Sequence, residues 1–208
     1  MHKKKFYFIV FEGVEGTGKS YQIKKLYKNL KNKKFNITKT REPGGTQTAE
    51  KIRNLIFSKN SNKFDVLTDY YLMCAARNEH VKKLLLNAKK LKNIVICDRF
   101  TDSTYAYQVI GNKIDAKFNE LNQNYILKKL KPDLTIVLKS DFKIIFSRIN
   151  KRKKINKFDM LKIKFYRTVQ NAFIKRAKNN KNYHVFDSSK NTPELEKKIF
   201  KLVSNRLD

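Results

Sequence analysis

The chain has 208 residues, 40% apolar and 12% aromatic, which is enough for one domain with a proper core. No apolar run approaches the roughly 18 residues of a membrane span, and the two cysteines, Cys74 and Cys97, stand in apolar contexts without metal-ligand spacing, so a reducing cytoplasm is expected and a disulfide framework is not. Forty-eight Lys and Arg against 18 Asp and Glu give a net charge of +30, but the lysines run along the whole chain, as a Lys-, Asn- and Ile-rich coding bias would leave them, and not in the single stripe of a nucleic-acid binder. Such a charge still favours acidic substrates through its long-range field.

The chain opens MHKKKFYFIVFEG. Its apolar stretch is shorter than the ~7–15 residues of a signal-peptide core and runs into acid and glycine, so 6–11 is expected to be a first buried strand. A glycine-rich stretch follows at 13–20, then a helix over 19–31 with Ile23, Leu26, Tyr27 and Leu30 on one stripe. Residues 35–40 read as a strand and 46–57 as a helix carrying Ala49, Ile52, Leu55 and Ile56. The stretch 66–91 suits one long helix or two shorter ones. Strands are expected at 93–98, 134–138 and 183–186. Thr192-Pro193-Glu194 supplies a cap, a first-turn proline and an early acid for a last helix with Leu195, Ile199, Leu202 and Val203 on its apolar face. The runs at 6–11, 93–98 and 134–138 are nearly continuous in apolar character, as in strands covered on both faces. Strand–helix alternation predicts a single α/β domain over 1–208 with a parallel sheet, without repeats or linkers.

Gly13-Val14-Glu15-Gly16-Thr17-Gly18-Lys19-Ser20 fits GxxxxGK(S/T) between an expected strand and an expected helix. Glycines let backbone N–H groups turn inward around phosphate oxygens, and the helix end adds positive potential. Lys19 is expected to reach the β- and γ-phosphates of a nucleotide and Ser20 to offer its hydroxyl to Mg²⁺. Arg99 follows a strand ending at Asp98, and ligands bind at the carboxyl edge of open α/β sheets. It is read as a grip on a ligand phosphate, or as an Arg–Asp structural pair. Arg41, before Pro43-Gly44-Gly45, is read as a second phosphate clamp or a solvated loop arginine. Asp98 is a candidate for Mg²⁺ and its waters.

TREPGGT at 40–46, YLMCAAR at 71–77 and CDRFTDSTYAYQ at 97–108, in that order after EGVEGTGKS, resemble the thymidylate kinase family, and PDLTIVLKSD at 132–141 resembles its next strand. The resemblance spans about 8–187. It implies a P-loop NTPase fold of nucleoside monophosphate kinase type, with a five-stranded parallel sheet flanked by helices, and transfer of the ATP γ-phosphoryl to dTMP with Mg²⁺. Other readings are a kinase for another nucleoside monophosphate or a weakly active nucleotide binder. The resemblance places Glu15 at the sugar 3′-hydroxyl, Arg77 on the thymine ring, and Ser103, Tyr107 and Gln108 near base and sugar; Tyr107 is equally read as packing. Met73 stands where the family usually has an aromatic, and it serves as a base contact or as helix core.

The basic run at 148–159 is read as a lid closing over ATP, or as a solvated or nucleic-acid-facing patch. The resemblance is to bacterial members that keep their catalytic arginine in the lid. It puts Arg148 by the adenine, and Arg152 and Lys157 near the transferring phosphoryl. Lys153 and Asn156-Lys157 depart from the family's glycine and Asp-Arg, and Thr168-Val169-Gln170 departs from its R-V-R. The resemblance further implies a homodimer formed by helix packing, the stripe at 66–85 being one such face.

Overall fold

A computed structural model describes residues 5–58, 64–151, 159, 161–178, 180–190 and 192–207. Five strands form one parallel sheet: β1 (Tyr7–Glu12), β2 (Ile37–Arg41), β3 (Ile94–Asp98), β4 (Leu134–Lys139) and β5 (Tyr183–Asp187), in spatial order β2-β3-β1-β4-β5. Each expected strand is present within two residues of its anticipated ends. In register, Phe11 faces Asp98 of β3 and Ile136 of β4.

The near-continuous apolar runs are explained by burial on both faces. Ile9 and Phe11 point into one cluster with Ile94, Ile96, Leu134, Ile136 and Leu138. That face is covered by α1 (Lys19–Asn32), through Ile23, Leu26 and Leu30, and by the last helix, through Leu195, Ile199 and Val203. Phe8 and Val10 point the other way, against Val81, Leu85, Val95 and Cys97. Each fully buried Leu, Ile or Phe contributes about 1.5–3 kcal/mol, so a two-faced strand is a strong organising element.

Past β2 come α2 (Gln47–Ile56), capped by Thr46, and α3 (Val66–His80), capped by Asp65. A π-helical turn (Val81–Leu85) carries α3 into α4 (Leu86–Lys90), so 66–91 is nearly one continuous helical rod. After β3, α5 (Thr101–Thr104) widens into a second π-helical stretch, Tyr105–Gly111. Then follow α6 (Ala116–Leu127), α7 (Phe142–Asn150), α8 (Ile163–Ala177) and, after β5, α9 (Pro193–Leu207). Sequence reading assigned no helix over 101–127 or 163–177. Among the described residues no helix is long and apolar enough to cross a membrane.

Candidate active site

All five strands point their carboxyl ends the same way, so Glu12, Arg41, Asp98, Lys139 and Asp187 end at one edge. The loop after β1 crosses that edge. Gly13 has φ 136, and a Cβ there would run into the Leu138 carbonyl, so only glycine lets the loop lie this close to β4. Gly18 caps α1 with φ 83 and no side-chain cap, which leaves the first-turn N–H groups of α1 to other acceptors. The outer side of the loop is pinned by carbonyl contacts. Arg148 Nη1 donates to Gly16 O at 3.1 Å, and Ser188 Oγ donates to Thr17 O at 2.7 Å. Lys19 Nζ donates to Gly13 O at 2.8 Å and Val14 O at 2.9 Å. Burial, then nearby Arg99, pushes its ammonium down to about 8. A polyphosphate in the loop would reverse that.

Next to the loop lies an arginine–carboxylate cluster. The β3 strand ends at Asp98, and Arg99 takes φ 73, a left-handed conformation that is uncommon for a non-glycine residue. Its N–H still donates to Phe11 O at 2.9 Å, so the turn is locked to β1. From there Arg99 Nη2 donates to Glu15 Oε1 at 2.7 Å and Nη1 to Ser103 Oγ at 3.0 Å. Three of its five N–H donors make no protein hydrogen bond among the described residues. Tyr107 donates its hydroxyl to the other oxygen of Glu15 and lies under the Arg99 guanidinium. Burial works against a charge on Glu15, but Arg99 and Lys19 outweigh it and hold the carboxyl below its ordinary range. Beneath them the buried Glu12 accepts from Phe100 N at 2.8 Å, Ser103 N at 3.2 Å and Ser103 Oγ at 2.6 Å. Burial, then the Asp102 carboxylate, pushes Glu12 up to about 8.

Glu15, Arg99, Ser103 and Tyr107 form one wall of a cavity that also takes in Glu42, Pro43, Phe57, Met73, Arg77, Phe100, Thr104 and Gln108. Arg77 rises from α3 and is only 3% exposed. It donates to Glu42 Oε2 (2.7 Å), Thr104 Oγ1 (3.0 Å), Gln123 Oε1 (2.8 Å) and Phe100 O (3.0 Å). The π-helical stretch after α5 brings Tyr107 and Gln108 to the same wall; such wide turns recur at functional sites. Arg53, near the end of α2, lies over the Phe57 ring at 4.5 Å and donates to Pro43 O at 2.8 Å.

A second hollow, on the far side of Asp98, is lined by Ser20, Arg41, Gly45 and Glu50. Ser20 Oγ donates to Asp98 Oδ2 at 3.2 Å, and Asp98 Oδ1 is buried without a hydrogen-bond partner. No group of three His, Cys, Asp or Glu suited to a metal exists among the described residues. A hydroxyl and one orphaned carboxylate oxygen suit Mg²⁺, which keeps several waters and binds mainly to phosphate oxygens.

The family model described as thymidylate kinase matches residues 11–199. The chain belongs to the thymidylate kinase family. It is 34% identical to a thymidylate kinase of Pelobacter propionicus, covering 97% of this chain and 96% of that one. A thymidylate kinase of Mycoplasmoides gallisepticum is 40% identical, with 89% and 88% covered. The crystal structure of thymidylate kinase from Ehrlichia chaffeensis superposes with a TM-score of 0.77 at 30% identity, over 96% of this chain and 99% of that one.

Of the residues that the thymidylate kinase resemblance singled out, Glu15, Met73, Arg77, Arg99, Ser103, Tyr107 and Gln108 share one cavity. Arg41, read as a phosphate clamp or a solvated loop arginine, ends β2, faces the second hollow, and is bound side-on to Glu50 at 3.1 and 2.8 Å. The cause is α2, which returns Glu50 beneath the loop, where it also accepts from Gly45 N at 2.9 Å. Arg148, expected by the adenine, sits in the last turn of α7 and donates to the carbonyls of Gly16, Ser188 and Ser189. Arg152, Lys153, Asn156 and Lys157 lie outside the described residues. Gln170, one of the departures from R-V-R, clamps Ser140 at the end of β4, accepting from its N–H at 3.1 Å and donating to its carbonyl at 3.2 Å.

Sequence reading missed Glu12, Glu42, Arg53, Phe57 and Thr104. Glu42 lies in TREPGGT and Thr104 in CDRFTDSTYAYQ, so a motif signal existed for them. Phe57 gave none, because nothing local shows that the end of α2 folds back over the cavity.

Proposed function

We propose that this cavity is the dTMP pocket and the glycine-rich loop the ATP phosphate site of one phosphotransferase. The chain phosphorylates dTMP to dTDP with ATP. The observation that carries the pocket assignment is Arg99, which faces the cavity beside Lys19 with three donors that bond no protein atom among the described residues. A planar fork suits a phosphate bidentately. The transition state of phosphoryl transfer is stabilised mainly by positioning and by cations around the moving group, and the acceptor phosphate is itself a nucleophile, so no strong general base is required. In this reading Arg99 holds the acceptor phosphate in line and Lys19 moves from the loop carbonyls to the transferred phosphoryl. Glu15, oriented by Arg99 and Tyr107, accepts from the sugar 3′-hydroxyl. Arg53 takes over from Arg41 as second clamp, because Arg41 is engaged with Glu50 while Arg53 leans over Phe57 into the field of Arg99. Gln108 and the remaining N–H of Arg77 serve the base, with Met73 and Phe57 as its apolar contacts. Arg152 and Lys157 keep the role of lid cations on the resemblance alone, within 148–159 of a single domain.

Mg²⁺ would be held by Ser20 and, through water, by Asp98, and would supply neutralising charge to the phosphates. We place the reaction in the cytoplasm, in keeping with the two free cysteines. Homodimer formation is supported by Leu67 and Tyr71 of α3 and Leu121 and Tyr125 of α6, which are 44%, 50%, 70% and 86% exposed on neighbouring helices. Tyr71 meets Phe118 edge-on across that seam.

The test is ADP release by the purified chain with dTMP, dUMP, dCMP and dGMP as separate acceptors. dTMP is expected to give the highest kcat/KM. A preference for any of the others removes the thymine assignment and leaves a kinase for another monophosphate.

A further inference from the structure

We propose that His80 is a positioning residue for the acceptor nucleotide, acting through Glu42 on Arg77; this rests on the reading of the cavity as the dTMP pocket. His80 is fully buried at the end of α3 and does not line the cavity. Its Nδ1 lies 2.9 Å from Glu42 Oε1, and its Nε2 lies 2.8 Å from Thr40 Oγ1. An ionised carboxylate only accepts, so Nδ1 carries the proton and, in a neutral ring, Nε2 accepts from the Thr40 hydroxyl. Burial disfavours charge on Glu42, yet Arg77 and His80 hold its carboxyl below the ordinary range.

The chain of contacts therefore runs from the sheet to the pocket. Thr40 lies in the β2–β3 ladder opposite Cys97. His80 ties Glu42 to it, and Glu42 Oε2 fixes Arg77 Nε at 2.7 Å. Both Nη1 protons go to Thr104 and Gln123, and one Nη2 proton goes to Phe100 O. A single Nη2–H is left for the cavity, and its direction is set by the plane of the guanidinium. Thr104, Gln123 and Phe100 hold the Nη side of that plane and Glu42 its Nε edge, and the only other partner of the Glu42 carboxylate among the described residues is His80. Removing the Nδ1–H bond frees the carboxylate to rotate and blurs the one donor offered to the base. Buried networks of this kind specify geometry only when every member is satisfied.

Asn and Gln at position 80 separate the two contacts. Asn places an amide nitrogen where Nδ1 stands and keeps the bond to Glu42. Gln reaches the Nε2 position, keeps Thr40 and leaves Glu42. Steady-state kinetics of the full chain, varying dTMP and ATP separately, are measured for His80→Asn, His80→Gln and Arg77→Met, with thermal melting alongside. His80→Gln is expected to raise the KM for dTMP roughly tenfold, the scale of one charge-assisted hydrogen bond, with the KM for ATP unmoved. His80→Asn is expected to stay near wild type. Equal KM values for dTMP in the two His80 variants, or an effect confined to ATP or to melting, overturns the relay. If Arg77→Met raises the KM for dTMP while the His80 variants agree, only the relay fails. If Arg77→Met leaves it unchanged, the base-pocket reading fails as well.

Discussion

Arg99 shows how one residue can be committed by its backbone before its side chain acts. Its φ of 73 belongs to a region that costs a non-glycine residue roughly 1–3 kcal/mol. That cost is offset by the bond to Phe11 O and by the ion pair with Glu15. The result is a guanidinium held at the cavity wall without a search through long-chain rotamers, with three donors that make no protein hydrogen bond among the described residues. Arg99→Ala is expected to lower kcat/KM for dTMP by roughly 10²- to 10³-fold, as loss of a preorganised donor does, while ATP binding measured by calorimetry is unchanged. Turnover near wild type would remove Arg99 from the site. The motif reading anticipated Arg99 from its place after a strand. It did not anticipate that Glu15 and Arg99 hold each other, because residues 15 and 99 meet only once β1 and β3 are neighbours.

At the scale of elements, the junction of β1 with α5 carries the strongest electrostatic conflict near the site. Glu12 ends β1 under the first turn of α5 and binds Phe100 and Ser103, with Asp102 close by. A folded-state value of about 8 exceeds the ordinary carboxylate value of 4.5. The folded protein thus binds this proton more tightly than the unfolded chain. Its stabilising contribution is full below the ordinary carboxylate range and is lost as pH rises toward about 8. Glu42 has the opposite sign, since its carboxyl is held low and its contribution disappears in acid. Glu12→Gln keeps a carbonyl for the two N–H donors and an amide for the Ser103 hydroxyl. Its melting temperature is expected to fall less than that of the wild type between pH 6 and 9, a range about the folded-state value. Parallel curves for the two proteins would show that Glu12 does not titrate there. The strands and the helices at 19–31 and 46–57 were legible because buried strands and amphipathic helices leave a local period. The π-helical turns were not, since a widened turn differs from an α-helix by one hydrogen-bond register and not by composition.

For the whole molecule, the net charge of +30 is carried by a fold whose carboxyl edge gathers Lys19, Arg41, Arg53, Arg77 and Arg99 around the cavity and the hollow beside it. The surrounding lysines raise the local concentration of two anionic substrates, an effect that salt screens within about 10 Å. The exposed apolar seam of α3 and α6 stands apart as a candidate contact with a second copy. Light scattering on the purified chain is expected to give a dimer mass, and the double substitution Leu121→Asp with Tyr125→Asp a monomer mass. A monomeric wild type, or a doubly substituted chain that still pairs, excludes this face.

By itself the sequence determined the α/β alternation, the phosphate loop at 13–20 and the family, because apolar period, glycine spacing and short motifs are properties of neighbouring residues. Only the tertiary structure decided that Arg41 is paired with Glu50, that Phe57 lines the cavity with Arg53 over its ring, that Arg148 braces the glycine-rich loop, and that Thr40, His80 and Glu42 stand behind Arg77. Each of those is a contact between segments distant in the chain or across a helix that folds back. Side-chain direction there is set by packing and by which donors remain unsatisfied, and no local pattern encodes it.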